Sequence, residues 1–333
     1  MRIAVLPPKK SNGLEQHPWR ALCEGLSSRG ATLVDGSVSP RVSVDALVAM
    51  NHHSAVSTFY RANAVPASRR VLIVLEPCAT APGMYRQQAF GQYSRIYCAS
   101  PEWARDLGGT SFRWPQDLSW THTVLDQGHQ FDATLVNADK RSAIDTSWYG
   151  LRRSVWRLAD TQGLRLAVVG PGWQRGAASR VLSGARACAK AIDARRWPNW
   201  TEAFSHVSSR PKHALGPISD KARILALAPF SIVIENSPDY VSEKLIDVVR
   251  CGAVPIYVGP RLSDFGLPNS IAIQVEPMAE AILDAMTCSN ERLMESTKQA
   301  GSQWISSRAS RDHEGSRILF DLGARIATDL TAT

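Results

Sequence analysis

Short apolar runs alternate along this chain with longer stretches in which apolar residues recur every three or four positions. Arg2–Leu6, Ala31–Val34, Asp45–Met50, Arg70–Leu75 and Tyr93–Ala99 are such runs and read as strands. Pro18–Ser28 and the patch around Tyr85–Phe90 read as helices between them. An irregular stretch, Leu107–Gly128, carries Pro115 and scattered tryptophans and reads as a crossing between domains. The cycle then restarts with the strand-like runs Phe131–Asn137, Leu164–Val169, Phe230–Ile234, Ala253–Val258 and Ile271–Val275. Helical periodicity covers Ser147–Asp160, Met278–Thr287, Asn290–Arg308 and Ser316–Leu330. Strands that alternate with helices predict βαβ units in parallel sheets, hence an α/β protein. The expected architecture is two Rossmann-like domains, residues 1–128 and 129–333, facing a central cleft.

A length of 333 residues is ample for two cores, and 44% hydrophobic with 20% charged residues is ordinary for a globular protein. Lys and Arg number 38 against 30 Asp and Glu, a net charge of +8. Such a surface attracts nucleotides, acidic glycans or phospholipid headgroups. No helix-turn-helix, zinc-finger spacing or aromatic ribonucleoprotein motif is present, so nucleic acid is not an expected partner. No apolar run reaches the ~18 residues of a membrane span, and Met1–Lys10 reads as a first strand, not a signal peptide. Six cysteines without a CxxC pair predict reduced thiols.

The most specific segment runs from Phe230 to Pro260. An apolar strand ends in Glu235-Asn236-Ser237, Asp239-Tyr240-Val241-Ser242-Glu243-Lys244 opens a helix, and Ala253–Val258 forms the next strand before Gly259-Pro260. Polar groups thus gather at a strand's carboxyl end, where ligands bind in open parallel sheets. The carboxylate of Glu243 suits a ribose diol and the ammonium of Lys244 a phosphate. Asn236, Ser237 and Asp239 would equally serve as turn or capping residues, and Glu235 as a structural acid paired with a cation of its own domain.

This segment resembles the donor-site motif of the α-1,3/1,4-fucosyltransferases, glycosyltransferase family 10. Phe230, Glu235, Asn236, Ser237, Asp239, Tyr240, Val241, Glu243, Lys244, Val254, Pro255, Ile256, Gly259 and Pro260 fit it. Ser242 stands where the family has Thr and keeps the hydroxyl, and the spacer before Asp239 is shorter than usual. The resemblance implies the GT-B fold, GDP-fucose as donor and a glycan hydroxyl as acceptor; the alternatives are another GDP-sugar, which the shorter spacer would favour, and a non-catalytic nucleotide-sugar or glycan-binding protein. Glu243 would then hold the ribose of GDP, with Tyr240, Asn236, Ser242 and Glu235 as the further donor-site candidates. The segment Asn137 … Lys140 … Tyr149-x-x-Arg152-Arg153 resembles the family's stretch whose Arg contacts the pyrophosphate; Arg152 is the first choice and Arg153 the alternative, against the plain reading of a solvated helix face. Glu76, directly after the apolar run Arg70–Leu75, matches the family's general base for inverting transfer. Partial desolvation there would bring a carboxylate's proton affinity toward the working range. Animal and plant enzymes of the family carry a membrane anchor. This chain then reads as a bacterial cytoplasmic member, with peripheral contact to the inner membrane compatible with its charge.

No Asp-x-Asp motif is present, so the departing diphosphate is expected to be neutralised by cationic side chains, with no metal or other cofactor. Gly170-Pro-Gly-Trp173 is a glycine turn rather than a dinucleotide fingerprint, because the third glycine is misplaced. Asn51-His52-His53 ends a strand and supplies the acceptor-side candidates; its spacing is not that of a metal site. Among ten tryptophans, Trp103, Trp114 and Trp120 are the candidates for stacking on a sugar, although buried Trp is most often core.

Overall fold

The computed structural model describes residues 1–7, 19–38, 41–85, 87–116 and 128–332, so Trp120 lies outside the described residues. The chain divides into two compact units, the first extending to about residue 116 and taking in 311–332, the second covering 128–310.

In the first unit β1 (Arg2–Leu6), β2 (Thr32–Asp35), β3 (Ala46–Met50), β4 (Arg70–Val74), β5 (Arg95–Cys98) and β6 (Thr110–Ser111) form one sheet in the order β2-β1-β3-β4-β5-β6. Every pairing is parallel. Helices α1 (Trp19–Ser27), α2 (Ser54–Ala62), α3 (Gln87–Phe90) and α4 (Pro101–Asp106) connect the strands. β3 and β4 are buried on both faces, which is why they read as unbroken apolar runs. Thr110–Ser111 adds an edge strand inside the stretch expected to be irregular.

The second unit holds β7 (Ala133–Val136), β8 (Leu166–Val169), β9 (Ala214–Gly216), β10 (Phe230–Ile234), β11 (Val254–Val258) and β12 (Ile273–Gln274). Between them lie α5 (Tyr149–Thr161), α6 (Ala177–Asp193), α7 (Trp200–Phe204), α8 (Lys221–Leu225) and α9 (Lys244–Arg250), and after them α10 (Ala279–Cys288), α11 (Glu291–Ser306) and α12 (Arg308–Arg311). All strands are parallel, in the order β12-β11-β10-β7-β8-β9. From β7 the chain winds outward through β8 and β9, then returns to β10 on the other side. The crevice beyond the tips of β7 and β10 is the topological switch point, where doubly wound sheets bind ligands. Thr134 Oγ1 donates to Ser231 Oγ across this pair at 2.9 Å, a satisfied polar bridge inside the sheet.

The last helix, α13 (Gly315–Thr331), packs on α1, so residues 311–332 group with the first unit and not with the second as the sequence had led us to expect. A Cβ at Gly25 would stand 2.0 Å from the Phe320 carbonyl oxygen, and one at Gly323 2.3 Å from that of Leu22. Two glycines thus let the helix backbones touch. Leu319, Leu322, Ile326 and Leu330 then join Ile3, Val48 and Val71 in a single core.

Candidate functional site

The loop leaving β10 is bonded to itself. Glu235 is fully buried and accepts from Ser242 N at 2.9 Å and Ser242 Oγ at 2.6 Å. Lys244 Nζ lies 2.8 Å from Ser242 Oγ and 3.7 Å from Glu235 Oε2. Asn236 Nδ2 donates to the Tyr240 hydroxyl, and the Asn236 carbonyl accepts from Trp148 N at 3.1 Å. These bonds carry the turn as far as Ser242, so α9 starts at Lys244, one turn later than the motif's polar residues implied. Glu235 thus pairs with Lys244, a cation of its own domain.

Arg152 and Arg153, on α5, are only 2% and 1% exposed. Arg152 Nη2 donates to the Ile234 carbonyl at 2.7 Å and to Asn236 Oδ1 at 2.8 Å, and its guanidinium lies over the Tyr149 ring. Arg153 donates to Ser205 Oγ, to the Lys140 and Glu202 carbonyls and to Asp139 Oδ1. Neither is the solvated helix face of the plain reading. Arg152 braces the tip of β10 from below, while the nitrogens of Arg153 are spent on α7, the residue after it and the loop that follows β7.

β7 ends in Asn137, whose side chain is the unusual one. It is 5% exposed, and neither Oδ1 nor Nδ2 has a hydrogen-bond partner among the described residues. Its backbone is fixed: the Asn137 carbonyl accepts from Trp173 Nε1, and Asn137 N donates to Val169 O at 2.9 Å. The Gly170 turn makes this approach possible, since φ there is +134° and a Cβ would fall 2.4 Å from the Asn137 carbonyl oxygen. Asn137 lines a crevice at the β7–β10 switch point whose empty space, open to solvent, is about 290 Å³. Val136, Ile232, Val233, Leu225 and Val248 form its apolar walls, and Lys221, Lys244 and Asp247 its polar rim. Burying an amide without a partner costs about 1–3 kcal/mol, so such groups call for a ligand or a functional reason.

Lys221 and Asp247 escaped the sequence reading. Lys221 opens the five-residue helix α8, too short to show a period, and its Nζ meets Asp247 Oδ2 at 3.0 Å. Burial lowers the Lys221 ammonium, but Asp247 and Glu243 outweigh that and hold its proton above the ordinary lysine range. Burial pushes the Asp247 carboxyl up although Lys221 opposes it. Glu243 is the reverse case. Burial pushes its carboxyl up, yet Lys244, then Lys221 and Lys140, outweigh burial and hold it below 4.5. A depressed carboxylate stabilises the fold above its unfolded range and loses that contribution as pH falls through the lowered value. Glu243→Gln is accordingly expected to melt below wild type near neutral pH, with the difference shrinking once the pH drops below 4.5, as read by thermal melts across the acid range.

In the first unit Glu76 follows the tip of β4 half-buried, its carbonyl accepting from the Tyr85 hydroxyl at 2.9 Å. Asn51 is at φ +60°, and its Oδ1 accepts from Leu75 N at 2.8 Å, so its side chain ties β3 to β4 just ahead of Glu76. His52 is held at both ring nitrogens, by the Tyr93 hydroxyl at 2.6 Å and Ser57 Oγ at 3.2 Å. Burial and then the neighbouring His53 lower its proton affinity. His53 is half-buried at the start of α2. Trp103 is core and packs edge-on to Tyr85, whereas Trp114 is partly buried against the first core. Among the described residues no group of three His, Cys, Asp or Glu is placed to hold a metal ion, and no helix is long and apolar enough to cross a membrane.

Two doubly wound parallel sheets, one with a polar crevice at its switch point, define the fold of the GT-B glycosyltransferases. Solved structures with this fold match the whole chain. The Anabaena protein HepE, in complex with UDP and glucose, superposes at a TM-score of 0.59 with 12% identity, covering 100% of both chains. A glycosyltransferase of Rickettsia africae superposes at 0.54 with 11% identity, over 99% of this chain and 98% of its own. An α1,3-fucosyltransferase reaches only 0.47 at 12% identity, over 98% of this chain and 89% of its own. No protein-family model and no curated protein matches the sequence.

Proposed function

We propose that the protein is a glycosyltransferase that takes its sugar from a nucleoside diphosphate sugar bound at the β7–β10 switch point, and that the donor is GDP-fucose. The observation that carries the reading is the buried, unpartnered carboxamide of Asn137, set among the lysines that surround Glu243. Lys244, Lys221 and Lys140 supply the positive charge a departing diphosphate needs, and Glu243 accepts from the ribose hydroxyls. Arg152 acts beneath them as a positioning residue, holding Asn236 and the β10 tip in place. The fucosyl assignment rests on the Phe230–Pro260 motif.

Chemistry follows from these roles. A glycan hydroxyl oxygen attacks the anomeric carbon as the bond from that carbon to the diphosphate oxygen breaks, with inversion. The hydroxyl proton passes to the Glu76 carboxylate, and GDP leaves carrying the electron pair. No metal is assigned to the reaction. A UDP-hexose is the second reading, favoured by the UDP and glucose bound to HepE.

The test is nucleotide release from GDP-fucose and UDP-glucose, with and without N-acetyllactosamine-type and lipopolysaccharide-type acceptors. Acceptor-dependent release of GDP supports the primary reading, release of UDP the second, and binding without release on any acceptor would remove the enzyme assignment. Lys244→Ala and Lys221→Ala are each expected to weaken GDP by about tenfold while leaving guanosine affinity within about threefold, as expected of lost charge-assisted phosphate contacts.

A further inference from the structure

The second unit carries an exposed apolar face outside the switch-point pocket. Ten large hydrophobic side chains are exposed among the described residues, and five of them fall within residues 181–200: Val181, Leu182, Ile192, Trp197 and Trp200. A soluble surface scatters such residues singly, so their concentration marks an interaction site.

The pattern on α6 shows how the face is built. Arg180, Gly184, Ala187, Cys188 and Ala191 turn inward and are buried. At 3.6 residues per turn, Ala178, Leu182, Ala185, Ala189 and Ile192 fall on a second stripe, and every one of them is exposed. Arg186 and Lys190 flank that stripe and are also exposed. The helix then runs into Arg195-Arg196-Trp197, with Trp197 87% exposed, and α7 opens on Trp200, whose ring stacks on Phe204. From Arg175 to Trp200 the chain has six basic residues and one acid, Asp193.

We propose that this face docks on the surface of an anionic lipid bilayer. Aliphatic side chains and exposed tryptophans suit the headgroup boundary, and the flanking Arg and Lys suit anionic lipid. Charge complementarity selects this occupant over a second copy of the chain, because two such faces would bring Arg186, Lys190, Arg195 and Arg196 against their own counterparts. Surface attachment would hold the enzyme where membrane-bound acceptors lie.

Co-sedimentation with vesicles of phosphatidylcholine alone, or with a third of the lipid replaced by phosphatidylglycerol, reads the proposal directly. Wild type is expected to bind the anionic vesicles about tenfold or more tightly than the neutral ones, with the difference lost at high salt. Ile192→Ser/Trp197→Ser and Arg195→Glu/Arg196→Glu change only exposed side chains, and each is expected to cut vesicle binding by about tenfold with an unchanged thermal melt. Absence of binding to anionic vesicles, or equal binding by wild type and both variants, would overturn it. A dimer in sedimentation equilibrium that the Ile192/Trp197 variant abolishes, with no vesicle binding by wild type, would instead identify the face as a contact between copies.

Discussion

Glu76→Gln is expected to lower acceptor-dependent turnover by about 10²–10⁴-fold, the range a positioned general base contributes. Glutamine has nearly the same shape and still accepts a hydrogen bond, but it cannot take up the proton that the acceptor hydroxyl would lose in the proposed reaction. The local scaffold survives the exchange, since the Tyr85 bond goes to the Glu76 backbone carbonyl and the neighbouring Leu75 amide is held by Asn51. GDP affinity is expected to stay within about twofold of wild type, because the proposed nucleotide contacts all come from the second unit. Steady-state kinetics paired with nucleotide titration reads both numbers. Unchanged turnover would move the base elsewhere, while equal losses in turnover and GDP affinity would make Glu76 a structural residue.

Asp139→Ala is expected to produce the largest loss of stability. Asp139 Oδ1 lies 3.4 Å from Arg153 Nη1 and Oδ2 3.5 Å from Arg180 Nε, with all three side chains no more than 3% exposed. Removing the carboxylate leaves two buried guanidinium groups, of which Arg153 retains Glu202 at 3.6 Å. Breaking a buried charge network in this way costs about 3–5 kcal/mol, or roughly 10 °C in melting temperature. The pair Arg165–Asp132, at a similar 3.2 Å, is the control. Its side chains are 56% and 37% exposed, so Arg165→Ala is expected to cost only about 0–1 kcal/mol. Calorimetric melts of the two variants separate burial from distance as the cause; equal losses would refute the assigned role of Asp139.

The elements most legible in the sequence are those buried on both faces. β1 and β10 span the residues the apolar runs marked, because a central parallel strand has no solvent face to interrupt it. α2, α7, α8 and β9 went unread because they are brief or carry mixed patterns, and Lys221 was hidden with them. The motif located the switch-point loop, yet residue types alone do not separate a side chain that touches a ligand from one that holds its neighbour. Glu235 and Ser242 bond each other, Arg152 bonds Asn236, Arg153 bonds the Lys140 carbonyl, and Asn51 bonds Leu75. The place of α13 depends on Gly25 and Gly323, residues 298 positions apart that no local pattern connects.

The proposed glycosyl transfer requires a nucleoside diphosphate in the β7–β10 crevice beside Asn137. Calorimetric titration of GDP into wild type and Asn137→Ala, with a thermal melt of each, tests this most directly. Removing an unpartnered buried amide is expected to leave stability within about 1 kcal/mol of wild type. The same change is expected to weaken GDP about tenfold, because the ligand loses the group that satisfies it. Equal GDP affinity in the two proteins, or no binding of GDP or UDP by wild type, would contradict the assignment of this crevice.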